Sequence, residues 1–198
     1  ADPDFKKLSE ADQWILARLN ETIDNVERNL DRYEMGLAGN ALYNFVWNDF
    51  CSWYIELSKA ALNSENPQTR ENTVAILVYV LRAILILLSP MMPFVTDHIY
   101  QALELGKDSI NEESWPKKVE FYSDEKTVRD MNLILSSIEA VREIKTQYGM
   151  KPREVIAIDV VTSDGDRYPL SNEGTALLEG MAKVTLTPVE AGDDTLVR

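Results

Sequence analysis

The chain lacks most of the residues on which catalytic chemistry is usually built. Its 198 residues include one cysteine, Cys51, and one histidine, His98. A single cysteine excludes an internal disulfide framework and any multi-cysteine metal site, and it fits a reducing compartment such as the cytoplasm. Set in an apolar stretch, Cys51 reads as a small buried hydrophobe and not as a nucleophile. His98 has no orienting partner in "TDHIYQAL" and reads as a surface or helix-packing residue. No glycine-rich phosphate loop, serine elbow or His/Cys/Asp cluster at ligand spacing occurs, so no catalytic residue, metal or cofactor is assigned to this chain.

Positive charge is also scarce. Twenty Lys and Arg face 33 Asp and Glu, a formal net charge of −13. A polyanion is therefore not attracted by the overall field, and any nucleic-acid contact requires a local basic surface. Long apolar runs are missing too. The most apolar stretch, "TVAILVYVLRAILILL", is 16 residues with Arg82 inside it. That is short for a bilayer span and carries a charge at mid-depth, so it reads as a helix buried in protein, with no membrane partner. Arg82 then needs a partner or an exit to water. The opening residues have no signal-peptide core, and residues 1–8 are expected to be disordered or foreign to the natural chain.

What is present is helical periodicity. Ser9 and Asp12 form a capping pair, followed by Ile15, Leu19, Ile23, Val26 and Leu30 on one stripe, with Glu21, Asp24, Glu27 and Arg28 opposite. A second helix is expected from Glu34 to Leu62. Val46, Phe50, Trp53 and Leu57 make one apolar stripe and Leu42, Phe45 and Asp49 another, as in a central bundle helix. Asn66 and Pro67 start a third helix that "SPMMP" breaks after Leu88, and Pro93 starts a fourth that stops near Gly106. "SWPKK" suggests an extended connection. A fifth helix runs from about Asp124 to Tyr148, with Gly149 and Pro152 at its end. "EVIAIDVVTS" then alternates like a strand, "SNEGTALLEGMA" can form a short helix and "KVTLT" a second strand. The fold expected is mainly α, a helical bundle over residues 9–150 followed by a small mixed α/β part over 151–198.

Two groups of residues are candidates for chemistry. Asp49 and Glu56 could share a helix face, but a solvated or ligand-facing surface is the better reading than an acid/base dyad. Arg142, Lys145, Lys151 and Arg153 fall within a dozen residues, either as a helix end whose cations complement the dipole or as a phosphate-binding patch. "NET" at Asn20 matches a glycosylation acceptor by chance.

Five ordered segments carry a resemblance. "DQWILARLNETI", "ALYNFVWNDFCSWYIELSK", "LLSPMMPFVTDHIYQAL", "SINEESWPKK" and "AVREIKTQYGMKP" are similar to successive segments of the anticodon-binding domain of bacterial valyl-tRNA synthetases. The "FVWNDFCSWYIE" form favours the valine enzymes over their isoleucine and leucine relatives, which stand as the alternative. A helical protein-interaction module without RNA binding is another. The resemblance implies an anticodon-binding helical bundle from a class I ligase that joins valine to its tRNA using ATP. The "HIGH" and "KMSKS" catalytic signatures are absent, so the chain is expected to be an inactive C-terminal part, with valine and ATP handled only by a missing catalytic domain. Its expected partner is valine tRNA, and its expected state a cytoplasmic monomer. The implied tRNA-binding residues are Arg18, Asn48, Trp53, Glu56, Lys59, Arg142, Lys145, Lys151 and Arg153, with Trp53 also readable as core. The chain departs from the family pattern at Lys145, where arginine is common, and at "NEE", where the family is more apolar.

Overall fold

A computed structural model describes residues 2–121, 124–162, 165, 166 and 168–186. Contacts divide it into two compact units, residues 1–128 and 129–198. The division falls inside the fifth long helix, which therefore lies almost wholly in the second unit.

The first unit is helical. In α1 (Glu10–Asp31) the Ser9 hydroxyl accepts from the Asp12 amide and the Asp12 carboxylate accepts from the Ser9 amide, a reciprocal capping box. One face of α1, with Trp14, Ile15, Leu16, Leu19, Ile23 and Val26, is fully buried. It packs against the second helical rod and against α4 (Pro67–Leu88), which Asn66 caps with Pro67 in its first turn. α4 is long and apolar enough by composition to cross a membrane; here half of its most apolar window is buried inside the protein. α5 (Pro93–Ala102) follows, and a 3-10 turn at Ile110–Glu112 leads into the extended "SWPKK" segment. Trp115 of that segment packs with Leu85, Ile86, Tyr100 and Ile110.

The second rod runs from Met35 to Leu62, as the sequence indicates, but it is not one α-helix. Between α2 (Met35–Asn44) and α3 (Ile55–Leu62) lies a ten-residue π-helix, Phe45–Tyr54. Its wider i→i+5 turns change which side chains face inward. Phe45, Phe50 and Tyr54, spaced five and four apart, are buried. Trp53, which an α-helical stripe assigns to the core, is only half-buried, and Val46 likewise. Tyr54 donates a 2.6 Å hydrogen bond to the buried Asp12 carboxylate. Burial, followed by that carboxylate, pushes the phenol pKa far above its ordinary value.

Arg82 finds its partner in Glu113. The guanidinium Nη2 reaches both carboxylate oxygens at 2.6 Å, and Nε donates to Oε1 at 3.0 Å. Tyr100 also donates to Glu113 and in turn accepts from the Lys107 amide at 2.9 Å. Burial alone raises the Glu113 pKa, but Arg82 and Tyr100 outweigh it and hold the carboxyl below its ordinary value. Glu113 is the last residue of "NEE", which thus supplies the counter-ion for a charge in an apolar helix.

One expectation fails in this unit. Cys51, read as a buried hydrophobe, is exposed to solvent. The chain before α1 touches α4: the Phe5 ring meets Tyr79 edge-on at 5.5 Å, and Asn72 bonds the Asp4 amide and the Lys7 carbonyl, both at 2.7 Å.

In the second unit, α6 (Glu125–Gln147) leads to β1 (Ile156–Ile158), α7 (Asn172–Ala182) and β2 (Val184–Leu186). The strands pair in parallel, Ile156 opposite Val184, with α7 as the crossover. Ser171 caps α7 by accepting from the Gly174 amide at 2.9 Å. β1 is shorter than its sequence pattern, and Thr187 of "KVTLT" lies outside the described residues.

Candidate nucleic-acid interface

The solvent face of the Met35–Leu62 rod carries most of the first unit's candidates. Asn48, Glu56 and Lys59 are exposed on it. Glu56 and Lys59 pair at 2.5 Å with about half of each side chain in solvent, so the pair adds little stability and opens readily. Trp53 lies on the flank, half-buried and engaged within the protein. Arg18 reaches the rod from α1, donating from Nε to Asp49 at 2.9 Å and pairing through Nη1 with Glu21. Burial raises the Asp49 pKa and Arg18 offsets part of that rise. With two carboxylates on one guanidinium, Arg18 is committed to an intramolecular cluster with no excess positive charge.

The sequence reading missed two residues on this face. Tyr43 and Trp47 are 63% and 59% exposed, and their rings stack with centroids 6.5 Å apart and planes 8° from parallel. A signal was present. The two aromatics are four residues apart in a stretch, Met35 to Ile55, whose only charged side chain is Asp49.

The second unit presents its cations at the end of α6. Arg142, Lys151 and Arg153 are exposed, and so is Tyr148. Gly149 takes a left-handed φ of 65°, which lets the chain reverse and the Met150 amide return to the Lys145 carbonyl at 2.8 Å. The next turn closes where the Glu154 amide donates to the Lys151 carbonyl at 2.9 Å. Cations on such a turn are held out from the backbone, a geometry suited to phosphate oxygens.

Lys145 does not belong to that surface. It is 3% exposed, and its ammonium donates to the carbonyls of Glu154, Ala182 and Lys183 at 2.6, 2.8 and 3.0 Å. All three donors are used, and two of the acceptors are the carbonyls that end α7, where the helix dipole favours a cation. The assignment of Lys145 to tRNA is therefore corrected: it is a structural cation, and the patch comprises Arg142, Lys151 and Arg153.

Residues 12–161 match the family described as the anticodon-binding domain of tRNA ligase. Similar proteins include the valine–tRNA ligase of Bacillus cereus (strain ATCC 10987 / NRS 248), 42% identical over 156 residues, which is 79% of this chain and 18% of that protein. The valine–tRNA ligase of Staphylococcus carnosus is 40% identical over 174 residues, 88% of this chain and 20% of the relative. That of Enterococcus faecalis is 39% identical over 180 residues, 90% of this chain and 20% of the relative. The chain thus spans about a fifth of the length of these curated relatives.

Proposed function

Because this chain belongs to the family of anticodon-binding domains of tRNA ligases, we propose that it is the tRNA-binding part of a valine–tRNA ligase and recognises the anticodon arm of valine tRNA. The observation that carries the reading is the run of about 40% identity to valine–tRNA ligases over four-fifths or more of the chain. Two surface features support it. The rod offers Asn48 and Lys59, the latter paired with Glu56, as exposed polar groups, and unpaired loop bases can be read by polar edge contacts. The α6 turn offers Arg142, Lys151 and Arg153 as phosphate contacts, which set position and affinity without reading sequence.

On this reading the chain binds RNA without a cofactor in the cytoplasm. ATP and valine are handled by the four-fifths of the ligase that it does not span. The test is a low-salt binding titration against valine, isoleucine and leucine tRNAs. Preference for valine tRNA is the expected result, and equal affinity for all three overturns the valine assignment.

A further inference from the structure

We infer that Tyr43 and Trp47 form a stacking platform for an unpaired nucleobase, a site that deepens the tRNA-binding reading above and rests on it. Several observations on the rod converge. The two rings lie parallel and more than half exposed, so their outer faces are open to a third aromatic plane. Stacking on such a platform accepts any base, because every base has a π face.

Beside the aromatic ridge runs an amide ridge, Asn40, Asn44 and Asn48, at the same four-residue spacing and fully on the solvent side. Their side chains have no hydrogen-bond partner among the described residues. An amide presents one acceptor and two donors, the complement of a base edge that has left its duplex.

The backbone N-terminal to Tyr43 is bare. Gly36 and Gly39 stand seven and four residues before Tyr43, on the same side of the helix. A Cβ at Gly36 would meet nothing within 4 Å, and one at Gly39 only Met91 Sδ at 3.7 Å. Two glycines inside one ten-residue helix weaken it relative to alanine, and neither is required there by crowding or by a positive φ. They leave a ledge on which a planar ligand can approach the main chain.

Charge chooses the occupant. The protein is strongly acidic, yet from Met35 to Ile55 the only charged side chain is Asp49, which Arg18 already holds. This is a face with a single carboxylate, already salt-bridged, on which a polyanion meets little repulsion, and it is equipped for stacking and edge recognition. A basic or acidic protein partner would find no complementary charge here.

The test uses the full 198-residue chain with two probes, the anticodon stem–loop of valine tRNA and a blunt RNA duplex of matched length with no unpaired base. Trp47→Ala is expected to weaken stem–loop binding roughly ten- to hundredfold, with the slope of log affinity on log salt unchanged, because stacking releases no counterions. Duplex binding should not move. Trp47→Phe, which keeps a π face, should restore most of the affinity. Gly36→Leu, which fills the ledge, should raise the melting temperature while lowering stem–loop affinity, a combination that a purely structural role does not give. If Trp47→Ala and Gly36→Leu bind the stem–loop like wild type, the platform is a protein contact and this inference is overturned while the tRNA reading stands. If wild type binds neither RNA, both are overturned.

Discussion

Replacing Arg82 by alanine removes the partner of a carboxylate that is itself 5% exposed, whereas Arg82 is 36% exposed. Breaking a buried ion pair from one side costs about 3–5 kcal/mol, mainly through the charge left behind. Here the cost is smaller. The guanidinium is part-solvated in the native state, and the Tyr100 hydroxyl still donates to the orphaned carboxylate. A loss of about 2–3 kcal/mol follows, or roughly 5–10 °C in melting temperature for a chain of this length. The pH dependence identifies the cause. In wild type the Glu113 pKa is depressed, so its stabilisation is complete above the unfolded carboxylate pKa of about 4.3 and is lost as pH falls through the lower folded value. Without Arg82, burial dominates and the folded pKa rises, so protonation now relieves a buried charge. The deficit of the variant should therefore be largest near neutral pH and shrink as the solution is acidified. Urea denaturation from pH 7 to pH 4 measures both effects, and the double variant Arg82→Met/Glu113→Leu should recover most of the stability. A midpoint unchanged in Arg82→Ala, or a deficit that grows in acid, refutes the reasoning.

The pure chain should give no valine-dependent ATP–pyrophosphate exchange, since neither ATP-handling signature occurs in its sequence; measurable exchange contradicts this. Arg142→Ala should flatten the salt dependence of RNA binding by about one unit of log–log slope or less, and weaken valine tRNA and an anticodon-swapped tRNA by similar factors. Lost discrimination with an unchanged slope would reverse the roles of the two surfaces. Lys145→Met leaves three carbonyls without their donor and should destabilise the second unit by about 2–4 kcal/mol in a urea titration. A variant that melts like wild type would show that the buried ammonium contributes nothing.

Local rules made the helix starts legible. Ser9 with Asp12 and Asn66 with Pro67 are satisfied within three residues of themselves, and the structure uses each as a cap. The order of helices and the β-α-β tail followed from periodicity for the same reason. The π-helix was not legible, because Phe45, Phe50 and Tyr54 fit its turns while Val46, Phe50, Trp53 and Leu57 fit α-helical ones. The choice is made by packing, notably by Asp12 receiving the Tyr54 hydroxyl from 42 residues away. Cys51 was judged by its apolar neighbours and not by its face of the helix, and Tyr43–Trp47 was missed because apolar periodicity marks buried faces and does not say which aromatics stay in solvent. Lys145 looks like its neighbours Arg142 and Lys151 in sequence, and only acceptors 9, 37 and 38 residues away distinguish it. Arg82 called for a counter-ion, but with 33 acidic residues to choose from, Glu113 could be named only from the fold.

The Lys145 ammonium also has a topological consequence. By holding Glu154 and Ala182 at one point it closes a loop of roughly thirty residues that contains β1 and the whole crossover to β2. Closing such a loop costs about 3 kcal/mol of chain entropy, which the paired three-residue strands would otherwise have to meet alone. In a chain whose single cysteine allows no internal disulfide, one lysine thus acts as a reversible cross-link.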